Sequence, residues 1–453
     1  MMDRILELVK LLRPGLRFKR WIVLLCVALG MILLGVPLAT GVHTLDLLKW
    51  PNAFWTWFEQ LAGVPMDGAS GAGMGMLLIL AGLALVCVAL AHLGSVFMAA
   101  LSPAVSPTRL VDAVYRDRVL KLGPRVVVLG GGTGLSTMLR GLKQYSSNLV
   151  AVVTVTDDGG SSGKLQRQLN VLPPGDIRNC LVAMADAEGT MTDLFQYRFR
   201  RGGAENGLRD HAFGNLLIAA MTEIAGGDFE EGIRRTSKVL NIRGRVLPST
   251  LQHVRLRAEM EDGSVIEGET AIVHSPLRIR RVALDPPDAQ APEEVLEAIE
   301  LADIIVLGPG SAYTSVAPNL LVRGIPEALR RARAPKVYVC NVMTQPGETD
   351  GFAASDHLKA IEAHVSRPIV DYVVVNTGVP SMELLNKYRQ SGATLVQPDI
   401  DVIRRMGRRT VVGNFISQTD VVRHDAVRLA EAIMGLLPKS AWSRMLRERM
   451  PVG

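Results

Sequence analysis

The 453 residues carry 50 Lys and Arg against 44 Asp and Glu, with 48% hydrophobic and only 5% aromatic residues. Residues 1–122 hold 11 basic against 7 acidic side chains and leave 39 against 37 for the rest, so the basic balance belongs to the leader and argues against nucleic acid as a partner. Cys26, Cys87, Cys180 and Cys340 show no C-x-x-C spacing, which excludes a zinc-ribbon site or a disulfide framework and suits a reducing compartment.

Two apolar stretches come first, Trp21 to about Val42 and Met74 to Leu101, and neither contains Lys, Arg, Asp or Glu. Each exceeds the roughly 20 residues that cross a bilayer's hydrocarbon core. A cleaved signal peptide fits poorly, because a long basic leader precedes the first stretch and a second span follows. Arg4, Lys10, Arg13, Arg17, Lys19 and Arg20 lie before the first span, Arg109, Arg116, Arg118 and Lys121 follow the second, and Lys49 lies between them. The positive-inside rule then predicts a multi-pass protein of the cytoplasmic membrane with both termini and the soluble domain in the cytoplasm. Trp50, Phe54, Trp55, Trp57 and Phe58 suit an outer interfacial belt or, equally, a small loop cluster. The predicted organisation is a membrane anchor over 1–122 and one soluble domain over 123–453.

That domain begins with the strand-like Val126 to Leu129, which breaks into Gly130-Gly131-Gly132-Thr133-Gly134 before a helix-like Leu135 to Leu142. Glycines let the backbone approach a ligand, and the helix start points N–H groups and a positive dipole end at an anion, so a phosphate loop is predicted. Leu135 stands where the third glycine of G-x-G-x-x-G belongs, which ranks an NAD-dependent oxidoreductase low. The apolar run Leu149 to Thr156 predicts a strand buried on both faces of a parallel sheet, ending in Asp157-Asp158-Gly159-Gly160-Ser161-Ser162-Gly163. Asp157 stands at a ribose-reading position, and Ser161 and Ser162 belong to a second anion-friendly nest. The alternative is that Asp157 and Asp158 hold Mg²⁺ beside a diphosphate.

Pro173 to Asn179 follows, with Asp176 as a candidate N-cap and Arg178 suited to phosphate. His211 to Asn215 then opens the apolar helix Leu216 to Ile224, and Asn215 can offer a donor and an acceptor to a nucleobase or sugar. Alternation around Glu261-Asp262-Gly263, with more strand-like sequence at Leu277 to Leu284, predicts a small β-rich insertion. A helix-like Pro292 to Ala302 leads into the strand Asp303 to Leu307, which delivers Gly308-Pro309-Gly310-Ser311-Ala312-Tyr313-Thr314-Ser315. The strand Lys336 to Asn341 empties into a polar loop reaching Asp350, before a helix at Asp356 to His364 and a strand at Tyr372 to Asn376. This rhythm predicts an α/β fold with a mostly parallel sheet, whose loops converge on one nucleotide-sized crevice at the carboxyl ends of the strands.

Taken together, Gly130 to Gly134, Asp157 to Gly163, Pro173 to Asn179, His211 to Asn215, Gly308 to Leu321 and Cys340 to Asp350 resemble the YvcK family. Members are also called gluconeogenesis factors and are related to the CofD 2-phospho-lactate transferases of deazaflavin cofactor synthesis. The resemblance spans roughly Pro124 to Leu437. It implies a Rossmann-like core that binds UDP-N-acetylglucosamine with no required cofactor and that regulates carbon flow into cell-envelope synthesis and cell shape; no catalytic turnover is implied, and a ligand-binding regulator is expected ahead of an enzyme. Carried over by motif, Gly131, Gly132, Thr133, Gly134 and Asn215 would meet diphosphate and nucleoside, with Asp157, Asp158, Ser161, Ser162, Arg178, Asn179 and His211 beside them. Gly308, Gly310, Ser311, Tyr313, Thr314 and Asn341 would line the same site, with Tyr388 and Arg423 near the sugar. An envelope-synthesis partner and self-association into a homo-oligomer are further expectations. The alternative is a Mg-dependent transferase of the 2-phospho-lactate type. The membrane leader departs from the shorter soluble members.

Overall fold

The computed structural model describes residues 18–40, 60, 68–101, 119–186, 189–199, 207–417 and 421–438. The chain divides into two compact units, Met1–Tyr115 and Arg116–Gly453.

The first unit is built on two helices, Phe18–Thr40 and Gly68–Leu101. Their apolar windows, Arg20–Thr40 and Ala72–Gly94, have 21 and 23 residues, long enough by length and composition to cross a membrane. Small residues let the two backbones approach each other: a Cβ on Gly35 would lie 2.7 Å from the Gly75 carbonyl oxygen, and one on Gly82 would lie 2.8 Å from that of Ala28. Leu33, Leu77 and Leu80 face outward and are exposed. Near one end of the pair the Trp21 ring stacks on His92 with centroids 3.9 Å apart. The proposed aromatic belt at Trp50 to Phe58 and the flanking Arg4, Lys10, Arg13, Arg17, Lys49, Arg109, Arg116 and Arg118 lie outside the described residues.

The second unit contains the strands β1 (Val126–Gly130), β2 (Leu149–Val153), β3 (Arg245–Pro248), β4 (Arg255–Met260), β5 (Val265–Glu267), β6 (Ile279–Asp285), β7 (Ile304–Leu307), β8 (Lys336–Val339), β9 (Tyr372–Asn376) and β10 (Arg409–Gly413). Seven of them form a sheet in the order β10-β9-β8-β7-β1-β2-β3, with every neighbouring pair parallel. Val126 to Leu129 and Ile304 to Leu307 are buried on both sides, as β-branched and leucine runs between two helical layers should be. The chain winds outward from β1 through β2 to β3, then returns to the other side of β1 with β7. That reversal makes the β1/β7 boundary the topological switch point.

Between β3 and β7 lies the predicted insertion, an antiparallel sheet of order β5-β4-β6. Its hairpin closes where Gly263, at φ +83°, donates its N–H to the Met260 carbonyl.

The structure corrects two local expectations. Ladder pairing of β2 stops at Val153 rather than Thr156, because its partner β3 ends at Pro248 and Thr154 and Thr156 bond each other through their hydroxyls at 3.1 Å. Asp176 is not the N-cap of its helix, which spans Gly175–Met184 and is capped at Pro174. Its carboxylate turns instead to the first glycine loop and accepts the Gly132 N–H.

Candidate functional site

At the switch point the chain leaves β1 through an extended Gly131 and enters the helix Gly132–Leu142 with Gly132 at φ +67°. Side chains are excluded here by crowding, from neighbouring side chains at Gly131 and from backbone at Gly134. A Cβ on Gly131 would lie 2.5 Å from Asp176 Oδ2, and one on Gly134 would lie 2.7 Å from the Pro309 carbonyl oxygen. The loop after β1 therefore packs directly on the loop after β7.

Asn341, just beyond β8, holds that second loop. It accepts the Gly310 N–H at 3.2 Å and donates to the Gly310 carbonyl at 2.9 Å and to Gln345 at 3.2 Å. The Ser311 hydroxyl donates to Glu348, as does that of Thr314 at 3.3 Å, while Ser311 also accepts the Thr314 N–H at the mouth of a π-helical turn, Ala312–Val316. Across the opening, the Tyr388 hydroxyl accepts the Val422 N–H at 3.1 Å and so fixes the segment that carries Arg423.

These loops enclose a cleft of about 600 Å³. Its lining includes Gly131, Gly132, Thr133, Gly134, Gly310, Ser311, Thr314, Asn341, Tyr388 and Arg423. The volume falls within the roughly 300–1,000 Å³ of small-ligand sites. Another cleft of similar size, about 570 Å³, lies at the amino ends of β1 to β3 beside Arg125, Asn148 and Arg243. It is at the wrong edge of the sheet for the convergence of loops that builds α/β sites.

One wall of the switch-point cleft is acidic. Glu269, which opens the short helix Glu269–Val273 of the insertion, is pushed up to about 9 by burial and then by Asp157, Asp176, Glu348 and Asp158. At neutral pH it is a carboxylic acid and a hydrogen-bond donor. Burial and Asp157 push Asp176 up to about 6, against the Gly132 N–H bond and Arg178. Burial raises Glu348 as well, despite its two hydroxyl partners.

Asp157 and Asp158 are used structurally and do not line the cleft. Asp157 accepts the Gly159 N–H at 2.9 Å, and Asp158 accepts the Thr270 N–H and hydroxyl at 3.0 and 2.7 Å, stapling the insertion to the β2 loop. Among the described residues no group of three or more His, Cys, Asp or Glu is arranged to hold a metal ion.

The remaining expected residues assemble elsewhere. Ser161 Oγ lies 3.1 Å from His211 Nδ1 and accepts from Asn215 Nδ2 at 3.0 Å and from the Ala212 N–H at 3.3 Å. With two donors on its oxygen, the Ser161 hydroxyl proton is assigned to Nδ1, which leaves the imidazole proton on Nε2. Burial and the nearby Lys164 push the His211 imidazole down, favouring that neutral form. Arg178 donates to Asn215 Oδ1 at 3.0 Å and to Asn179 Oδ1 at 2.9 Å, and Ser162 Oγ accepts the Gly175 N–H at 3.1 Å.

The single crevice expected from the sequence is thus two adjoining polar regions. Tyr313 belongs to neither, since its ring packs edge-on to Phe352 and His364 and its hydroxyl donates to the Ile279 carbonyl at 3.5 Å. Gly308, at φ +77°, turns the chain without lining the cleft. Sequence reasoning missed Glu269, for which no local signal exists, and Glu348, which its place in the loop after β8 would have flagged.

A family model described as 2-phospho-L-lactate transferase CofD matches residues 126–416. A protein named gluconeogenesis factor from Halalkalibacterium halodurans is 50% identical over 319 residues, 70% of this chain and 98% of that one. Its namesake from Bacillus subtilis is 46% identical over 315 residues, 69% of this chain and 98% of the relative. A relative from Nostoc sp. is 43% identical over 435 residues, 95% of this chain and 93% of its own, so that match takes in the apolar leader as well. The crystal structure of a UPF0052-family protein from Bacillus halodurans, at 49% identity and a TM-score of 0.66, covers 69% of this chain and 99% of its own. With the CofD-type sheet, the glycine-loop cleft and identities of this size, the chain belongs to the YvcK family of gluconeogenesis factors.

Proposed function

We propose that this protein is a ligand-sensing regulator, held at the inner face of the cytoplasmic membrane, whose switch-point cleft binds UDP-N-acetylglucosamine. The observation that carries the reading is the cleft itself, where backbone N–H groups and a helix start from the β1 loop face Tyr388 and Arg423 across about 600 Å³. The glycine loop would take the diphosphate, and Tyr388 and Arg423 the sugar end. Two helices long and apolar enough to span a bilayer support the anchor. Occupancy of the cleft would order the loops around Ser311 and Arg423 and so alter a surface offered to an envelope-synthesis protein, linking carbon metabolism to cell shape.

The experiment is calorimetry on the full chain with UDP-N-acetylglucosamine, UDP, GDP and NAD, each with and without magnesium. Selective, magnesium-indifferent binding of the UDP-sugar without product formation supports the regulator. A second reading, a Mg-dependent transferase of the 2-phospho-lactate type, is favoured by the name of the family model over residues 126–416. Magnesium-dependent preference for a guanine nucleotide would move it to first place.

A further inference from the structure

Arg178 is only 7% exposed, yet its two direct partners are the amide oxygens of Asn215 and Asn179, and its Nε has no hydrogen-bond partner at all. A buried guanidinium is always charged, and native structures normally pair such a charge with an anion. Asp176 and Asp157 act on it through space and Arg198 opposes them, yet neither carboxylate is hydrogen-bonded to the guanidinium.

Helix starts add positive potential around it. Ser161, Arg178 and Asn215 each stand in the first turn of a helix, Gly160–Leu169, Gly175–Met184 and Phe213–Ile224, so three positive dipole ends open on one cluster. Lys164 acts on His211 while its ammonium lies 3.9 Å from the Asp210 carboxylate, which acts on the imidazole in the opposite sense. Glycine at 214 leaves room for this arrangement, since a Cβ there would lie 2.8 Å from Arg178 Cδ.

We propose that Arg178, with Ser161, His211 and the outer cations Arg198 and Lys164, forms a second anion subsite that receives a phosphoryl group, separate from the diphosphate position at the Gly131–Gly134 loop. Arg178 supplies the charge and an orphaned Nε–H, a neutral His211 supplies Nε2–H, and the ligand provides the anion that no carboxylate among the described residues brings into hydrogen-bonding contact. The phosphoryl group belongs to a second molecule, a phosphorylated metabolite or free phosphate, because UDP-N-acetylglucosamine carries only the diphosphate placed at the glycine loop.

The test is thermal unfolding of the full chain against inorganic phosphate, with chloride matched for ionic strength. Wild type should rise by about 2 to 5 °C and saturate, as ligand linkage requires. Asn179→Asp places a carboxylate beside Arg178 without adding volume. It should raise the starting Tm and abolish the phosphate response, because the charge is then completed from within. Arg178→Met should also lose the response; should that variant fail to fold, Asn179→Asp still decides. Arg423→Ala should keep the response, which separates this subsite from the UDP-sugar reading.

Competition places the bound phosphate. If UDP-N-acetylglucosamine displaces it, phosphate occupies the diphosphate position and the inference fails; if the two bind together, the subsite is separate. A wild-type Tm indifferent to phosphate, or an Asn179→Asp variant that still responds, overturns the inference while leaving UDP-sugar binding through Arg423 intact.

Discussion

Glu269 and Arg178 are both buried beside Asp157 and Asp176, yet the fold handles their charges in opposite ways. Glu269 sits among four other carboxylates and stays protonated, with its acidity pushed up to about 9, so the acidic wall of the cleft relieves its repulsion by taking up a proton. Arg178 has no such exit, because guanidinium does not lose its proton in a protein. It keeps a buried charge against neutral amides and an unpartnered Nε. One region therefore responds to pH and the other to anions, although both grow from the same strand ends.

The largest expected effect comes from breaking the acidic wall by crowding. Gly131→Val would drive its Cβ into Asp176 Oδ2, 2.5 Å away, and into Thr154 Cγ2, 2.9 Å away. Overpacking of this kind costs about 3 kcal/mol or more, and both a lowered Tm and lost UDP-N-acetylglucosamine binding should be measured.

Next is Glu269→Gln. A carboxyl whose pKa is raised on folding, here from 4.5 to about 9, contributes full stability below 4.5 and loses it as pH rises through about 9. The variant should flatten the decline of Tm between pH 5 and pH 9 and be more stable than wild type at the alkaline end, on the order of 1 to 3 kcal/mol. An unchanged slope would show that Glu269 does not carry the repulsion.

Arg423→Ala acts on binding alone. Losing a charge-assisted contact of about 1.5 to 3 kcal/mol should weaken UDP-N-acetylglucosamine roughly 10- to 100-fold in calorimetry, with Tm unchanged because Arg423 is exposed. The smallest effect belongs to Gly132→Ala. No atom lies closer than 3.8 Å to its new Cβ, so only the positive φ of +67° is penalised, by about 1 kcal/mol, readable as a drop of a few degrees in Tm.

Much of this molecule was legible in one dimension because its signals are local. The runs Val126 to Leu129, Ile304 to Leu307 and Tyr372 to Asn376 are strands because apolar, mostly β-branched residues buried on both faces leave no other choice. Glu261-Asp262-Gly263 marks its hairpin by turn chemistry. The two leader helices follow from uninterrupted apolar length. Even the glycine loop and its neighbour after β7 announce themselves, since close packing forbids side chains at Gly131 and Gly134.

What the sequence could not supply is which polar groups share a space and what charge they hold there. Glu269 reaches the cleft only because Asp158 ties the insertion to the β2 loop through Thr270, a contact across 112 residues. Asp176 reads as a cap and becomes a partner of the glycine loop, while Tyr313 reads as a ligand residue and becomes core. Arg178, His211 and Asn215, expected in the nucleotide crevice, are drawn into their own cluster by three converging helix starts. Strand identity is set by a residue's own chain neighbours, so the sequence by itself determined the sheet, the insertion and the apolar leader. Protonation and pairing depend on burial and on charges brought together from distant segments, so only the tertiary structure decided which side of the site is acidic and which is left with an unpaired cation.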